Sequence, residues 1–105
     1  EVRIYRMHRW FEVAAGEGFA AREYLSDMTA YLRDRHGVTV DGFIEVFGPL
    51  SASCHLMIDF NDLVAFESWW NGLASDPGFG KLHAVEQAIS VEGTTQQALL
   101  HSHTA

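Results

Sequence analysis

Residues 2–13, VRIYRMHRWFEV, carry a two-residue period. Val2, Ile4, Arg6, His8 and Trp10 share one face; Arg3, Tyr5, Met7, Arg9 and Phe11 share the other. The stretch is rich in β-branched and aromatic residues and has neither glycine nor proline, which predicts a first strand. Gly16 and Gly18 bracket a break, and the period then changes. Ala21, Leu25, Met28 and Leu32 recur at helical spacing, Tyr24 and Tyr31 widen that stripe, and Arg22, Asp27, Asp34 and Arg35 fall on the solvent side. Gly37, preceded by basic residues that suit the helix dipole, marks the end of this helix. His36 beside it reads as a dipole partner. Residues 38–47, VTVDGFIEVF, predict a second strand ended by Gly48-Pro49, and residues 53–60 a third, joined to it as a hairpin.

Asn61-Asp62 then offers a cap, and Leu63, Phe66, Trp70 and Leu73 form the apolar face of a second long helix, with Trp69 one step off it. Asp76-Pro77 supplies another cap and first helical residue, so a short third helix is expected to run through His83. A last strand is expected over 88–92 and over 97–101, before a frayed tail, HSHTA. The order β-α-β-β-α-(α)-β is the ferredoxin-like α+β arrangement: an antiparallel four-stranded sheet with helices on one face. Strands two and three are nevertheless apolar on both faces, with Phe43 and Phe47 opposed to Ile44 and Val46, and Leu56, Ile58 and Phe60 opposed to Met57. Two helices cover only one face, and a sheet bare on the other should alternate apolar with polar. A second copy of the sheet is the simplest cover, so a homodimer is expected.

The totals sharpen this picture. At 105 residues, 48% hydrophobic and 20% charged, residues 1–105 read as one ordinary globular domain. A net charge of -7 opposes nucleic acid as a partner. No apolar run approaches the roughly 20 residues of a membrane span, and charged residues interrupt any signal-peptide pattern. The lone Cys54 excludes an intramolecular disulfide and a cysteine-based zinc site. A cytoplasmic protein is the expectation. No glycine-rich phosphate loop occurs, which counts against nucleotides, and the H-x-H of His101 and His103 is not expected to bind metal.

The predicted topology, with apolar strands and a late W-x(n)-D-P-x-F segment, resembles the dimeric α+β barrel superfamily along essentially the whole chain. A-F-E-S-W (Ala65 to Trp69) followed by F-G-K-L-H (Phe79 to His83) is similar to the antibiotic-biosynthesis-type and heme-degrading monooxygenases. In the heme branch that resemblance implies His83 as iron ligand and Trp69 against the porphyrin; the asparagine which that branch carries on its first strand has no counterpart here. P-G-F-G (Pro77 to Gly80) and His55 resemble the plant-type polyketide cyclases, which use a histidine–tyrosine acid–base pair; Asp76 stands near the histidine's place, and tryptophan replaces tyrosine. The rhythm of DF-N-D-L-x-A-F-x-x-W…DP resembles the NIPSNAP-like branch.

The resemblance implies a pocket between sheet and helices. His8 with Arg6, and His55 with Asp59, each share a strand face. A histidine near neutrality moves protons, a carboxylate fixes its tautomer, and an arginine stabilises an enolate or phenolate. His55, His8, Arg6 and Asp59 are therefore the catalytic candidates, and Trp10, Trp69, Trp70, Phe79 and His83 the walls for a small hydrophobic or aromatic ligand. The bland readings are a helix core for Trp70, backbone-bonded histidines, and an edge-strand charge for Asp59. The expected function is a small enzyme of aromatic or polyketide metabolism working by histidine chemistry with no dissociable organic cofactor. Heme monooxygenase and non-catalytic ligand-binding barrel are the alternatives.

Overall fold

Strand β1 (Tyr5–Glu12) sits inside the sheet and decides which face is covered. It pairs antiparallel with β3 (Ser53–Phe60) from Tyr5↔Phe60 to Glu12↔Ser53, and with β4 (Gln96–His101) from Tyr5↔His101 to Trp10↔Gln96. Strand β2 (Thr39–Ile44) adds to the outer side of β3, giving the order β2-β3-β1-β4. Cross-strand partners share a face. One face is therefore Met7, Phe11, Val40, Cys54, Leu56, Ile58 and Phe60, all buried; the other carries Arg6, His8, Trp10, His55, Met57 and Asp59. The computed structural model describes residues 4–46 and 52–103. The expected strand positions Val2, Arg3 and Phe47 and the Gly48-Pro49 break lie outside these residues.

Helix α1 (Gly18–Tyr31) covers the buried face with Ala21, Tyr24, Leu25 and Met28, the stripe its spacing predicts. It widens into a π-helical turn at Leu32–His36 and stops at Gly37, whose φ of 66° is the left-handed geometry that favours glycine. Helix α2 (Leu63–Leu73) begins at Asp62, whose carboxylate accepts from the Ala65 amide at 2.8 Å. Its inward face differs from the expected one. Phe66 and Trp69 pack against the core while Trp70 and Leu63 are 44% and 45% exposed, because the Trp69 ring is drawn onto Phe60, 5.3 Å away.

Helix α3 starts at Pro77 under an Asp76 cap, as expected, but runs to Ile89. The expected strand over 88–92 is thus not formed. Glu86 and Ile89 are buried at helical spacing, and a polar residue at one of those core positions disguises the stripe in the sequence. Only Ser90 makes an isolated bridge, to Val13. Gly93 then turns the chain at φ 81° into β4, which occupies the expected 97–101. Within the expected frayed tail, His101 and Ser102 are tied: Ser102 N donates to Ile4 O, Ile4 N donates to Ser102 Oγ, and His101 stacks on Tyr5, while Thr104 and Ala105 lie outside the described residues. No helix among the described residues is long and apolar enough to cross a membrane.

The α1–α3 contact is close at Gly78, where a Cβ would stand 2.3 Å from Tyr31 Oη. Tyr31 cannot retreat freely because its hydroxyl bonds Asp76. Gly78→Ala is expected to lower stability by about 1–3 kcal/mol, the usual range for overpacking, read as a lower melting temperature. An unchanged melting temperature would mean that the two helices separate without loss.

Candidate functional site

No residue of α2 is buried, and the chain breaks again at Asp76-Pro77 before α3. The two helices consequently stand off the sheet and leave a cavity of about 420 Å³. Met7, Leu56 and Ile58 form its floor and Trp69, Trp70 and Phe79 much of its wall, so its surface is apolar and largely aromatic.

One end is polar. Arg9, on the same strand face as Met7 and Phe11, points at Glu86 of α3, with Arg9 Nε 3.0 Å from both carboxylate oxygens and Arg9 Nη2 also donating to Oε1. Tyr24 Oη donates to Glu86 Oε2 at 2.6 Å, and Arg9 Nη1 donates to Gln97 Oε1 at 2.9 Å. Glu86 is 2% exposed, so this pairing is what makes its burial tolerable. Burial pulls the Arg9 guanidinium down, but the hydrogen bond and charge of Glu86 outweigh it and hold Arg9 above its usual value. Burial, reinforced by Glu86, pushes the Tyr24 hydroxyl far up, so it remains a donor. His83, one helical turn before Glu86, has Nε2 3.4 Å from Arg9 Nη2 and 4.0 Å from Glu86 Oε1. A guanidinium has no acceptor, so His83 Nε2 accepts and its proton sits on Nδ1. Burial, with Glu86 adding to it, lifts the Cys54 thiol to about 12, which removes it as a nucleophile.

The other polar feature is Asp76. Its Oδ1 accepts from Tyr31 Oη at 2.5 Å and from the Gly78 and Phe79 amides; its Oδ2 bonds His36 Nε2 at 2.6 Å. His36 stands in the last helical turn before Gly37, as expected, and is in addition bonded across to Asp76 at the start of α3. The Tyr31 hydrogen bond, then those of His36 and the two amides, outweigh burial and hold the Asp76 carboxyl at about 2. Trp69 and Asp76 also border a second hollow, with His36, Phe60 and Ser68. Among the described residues, Trp69 Nε1 is the buried side-chain polar atom without a partner.

The candidates from sequence fall into two groups. Trp69, Trp70, Phe79 and His83 line the cavity. His55, His8, Arg6, Asp59 and Trp10 converge across the sheet, on its open face. There Arg6 makes a two-pronged pair with Asp59 at 2.7 and 3.0 Å, and His8 stacks on Trp10 with ring centres 4.3 Å apart. His8 Nε2 and His55 Nδ1 are 2.9 Å apart, His55 Nε2 lies 2.7 Å from Ser53 Oγ, and Ser53 donates to Glu45. That order makes His8 the donor to His55. Burial, then the His55 and Arg6 charges, push His8 down. Sequence reasoning missed Arg9, Tyr24, Glu86 and Gln97. The available signal was Arg9 in phase with Met7 and Phe11, a charge set between two apolar residues of one face.

The sheet order and the helices on one face define a ferredoxin-like α+β fold. Similar solved structures include a NIPSNAP family protein of Agrobacterium tumefaciens, at 13% identity and TM-score 0.71 over 97% of this chain and 88% of that one. SnoaB, a cofactor-independent oxygenase of Streptomyces nogalater, is similar at 14% identity and TM-score 0.68 over 100% and 97%. A dimeric protein of unknown function with ferredoxin-like fold from Bacteroides fragilis follows at 7%, TM-score 0.67, over 96% of each. At such identities the likeness is one of fold. No protein-family model and no curated protein matches the chain.

Because Asp76 is held at about 2 against an ordinary 3.8, its contribution to stability is complete above the unfolded value and is lost as pH falls through the folded one. Melting temperature measured between those limits should drop with acid in the wild type, and Asp76→Asn should flatten that limb. An identical acid limb in both proteins would show that Asp76 is not a stabilising ion.

Proposed function

We propose that the protein is a small enzyme acting on an aromatic, polyketide-type substrate by histidine acid–base chemistry, for monooxygenation or cyclisation, without a dissociable organic cofactor. The observation that carries this reading is an apolar, aromatic-walled cavity closed by an arginine and a histidine that touch each other only loosely. Its volume of about 420 Å³ falls in the usual range for small-molecule pockets. The 3.4 Å contact between Arg9 Nη2 and His83 Nε2 is longer than an ordinary hydrogen bond. A phenolic or enolic hydroxyl entering there gives its proton to His83 Nε2 and leaves its negative oxygen on Arg9. Glu86, 4.0 Å from that nitrogen, offsets the imidazolium so formed. The resulting anion is electron-rich at carbon and reacts with oxygen or with a carbonyl of the same molecule. The likeness to SnoaB, a cofactor-independent oxygenase, favours the first course.

Heme fits these residues poorly. The His83 Nε2 lone pair faces Arg9, so an iron there would displace the guanidinium and set its own positive charge beside it. We also infer a homodimer through the open sheet face, where Phe43 and Leu100 are 52% and 51% exposed. Light scattering is expected to give about twice the 11.8 kDa chain mass; a folded monomer at micromolar concentration would overturn this assembly.

His8 and His55 are the rival acid–base pair, and they lie across the sheet from the cavity. His83→Ala should therefore lower turnover of a hydroxylated tricyclic substrate by about 10²–10⁴-fold, while His55→Ala stays near wild type, in variants shown to be folded by thermal melting. The reverse ranking would move the chemistry to the open face. If neither variant loses rate, the histidine mechanism fails.

A further inference from the structure

The cavity's charges constrain what it accepts, given the reading of it as the ligand site. Arg9 has five N–H donors. Its Nε–H and one Nη2–H are taken by Glu86, the other Nη2–H faces His83 Nε2, and one Nη1–H is taken by Gln97. Among the described residues, one Nη1–H is left for a ligand. Both Glu86 oxygens are likewise engaged, Oε1 by Arg9 and Oε2 by Arg9 and Tyr24. The charged groups bordering the cavity are Arg9, Glu86 and Asp76, one positive and two negative, for a net of -1. An anionic ligand entering would lose its hydration against an apolar wall and find no uncompensated positive charge. A neutral hydroxyl needs only to interpose between Arg9 and His83.

We infer that the site selects uncharged polycyclic ligands over carboxylates, and that Glu86, by neutralising Arg9 from within, is the residue that sets this preference. Glu86 borders the cavity with both its oxygens already held by Arg9 and Tyr24. It acts by determining how much of the guanidinium's charge a ligand meets.

The test uses two probes of the same skeleton, a dihydroxyanthraquinone and its carboxylic acid derivative, at a pH where the carboxyl is ionised and the hydroxyls are not. Binding is read by quenching of Trp69 and Trp70 fluorescence in the purified wild type, with Trp10 quenching accounted for in a Trp10→Phe background. The neutral probe should bind about tenfold tighter or more, a difference of about 1.4 kcal/mol. Glu86→Gln keeps the shape and one acceptor oxygen, which serves Arg9, and turns its amide N–H toward the Tyr24 oxygen, which can accept; it removes the charge and should close or reverse that gap. Gln97→Glu, at an exposed strand position, adds a second negative charge beside Arg9 and should widen it, which covers the case in which Glu86→Gln fails to fold. Equal wild-type affinity for the two probes overturns the charge selection while leaving the aromatic-ligand reading intact. A preference unmoved in both variants overturns the role of Glu86. If neither probe binds, the aromatic-ligand reading falls, and the inference with it.

Discussion

The buried carboxylate of Glu86 is the constraint to which the rest of the molecule answers. It lies on α3, takes hydrogen bonds from Arg9 on β1 and Tyr24 on α1, and so joins both sheet-covering helices to the middle of the sheet. A carboxylate 2% exposed is tolerable only while both partners stay in place. Removing one partner of such a pair typically costs about 3–5 kcal/mol, since the survivor is left charged and unpaired. Gln97 extends the same contact to β4. Four elements, α1, α3, β1 and β4, are therefore registered around one ion, and the polar end of the cavity is built from that registration.

The cavity follows from the opposite circumstance, a helix with little hold on the core. Helix α2 buries no residue completely and reaches the sheet through Phe66 and Trp69. The capped starts of α2 and α3 fix where each helix begins, and the gap between them stays open because large rings prop it. Aromatic rings suit this role: they supply broad apolar surface with few torsions to order. The cavity thus joins a rigid, charge-compensated end to an aromatic wall carried largely on a lightly held helix.

Much of the fold was readable from the chain. The two-residue period of β1, the stripe of Ala21, Leu25, Met28 and Leu32, and the caps at Asp62 and Asp76 depend on local geometry that sequence records directly. Length of α3 did not, because Glu86 occupies a core position with a polar residue. The phase of α2 was off by one residue because the pull of Phe60 on Trp69 is a tertiary contact. The site divides in the same way. Trp69, Trp70, Phe79 and His83 were legible as one segment. Arg9 was not, since β1 carries an arginine on each face and only the helices decide which face encloses a cavity. His8 and His55 do meet, at 2.9 Å, on the face that the helices leave open.

The π-helical turn at Leu32–His36 sets how far round the axis His36 points when it meets Asp76. Each residue of an ordinary helix turns the chain by about 100°, so removing any one residue from this turn would swing His36 away from the start of α3, even if the histidine itself were kept. The bond between the end of α1 and the start of α3 thus depends on the count of residues as much as on their chemistry. Length of this short segment is a structural variable in its own right, one that a comparison scoring only identities would overlook.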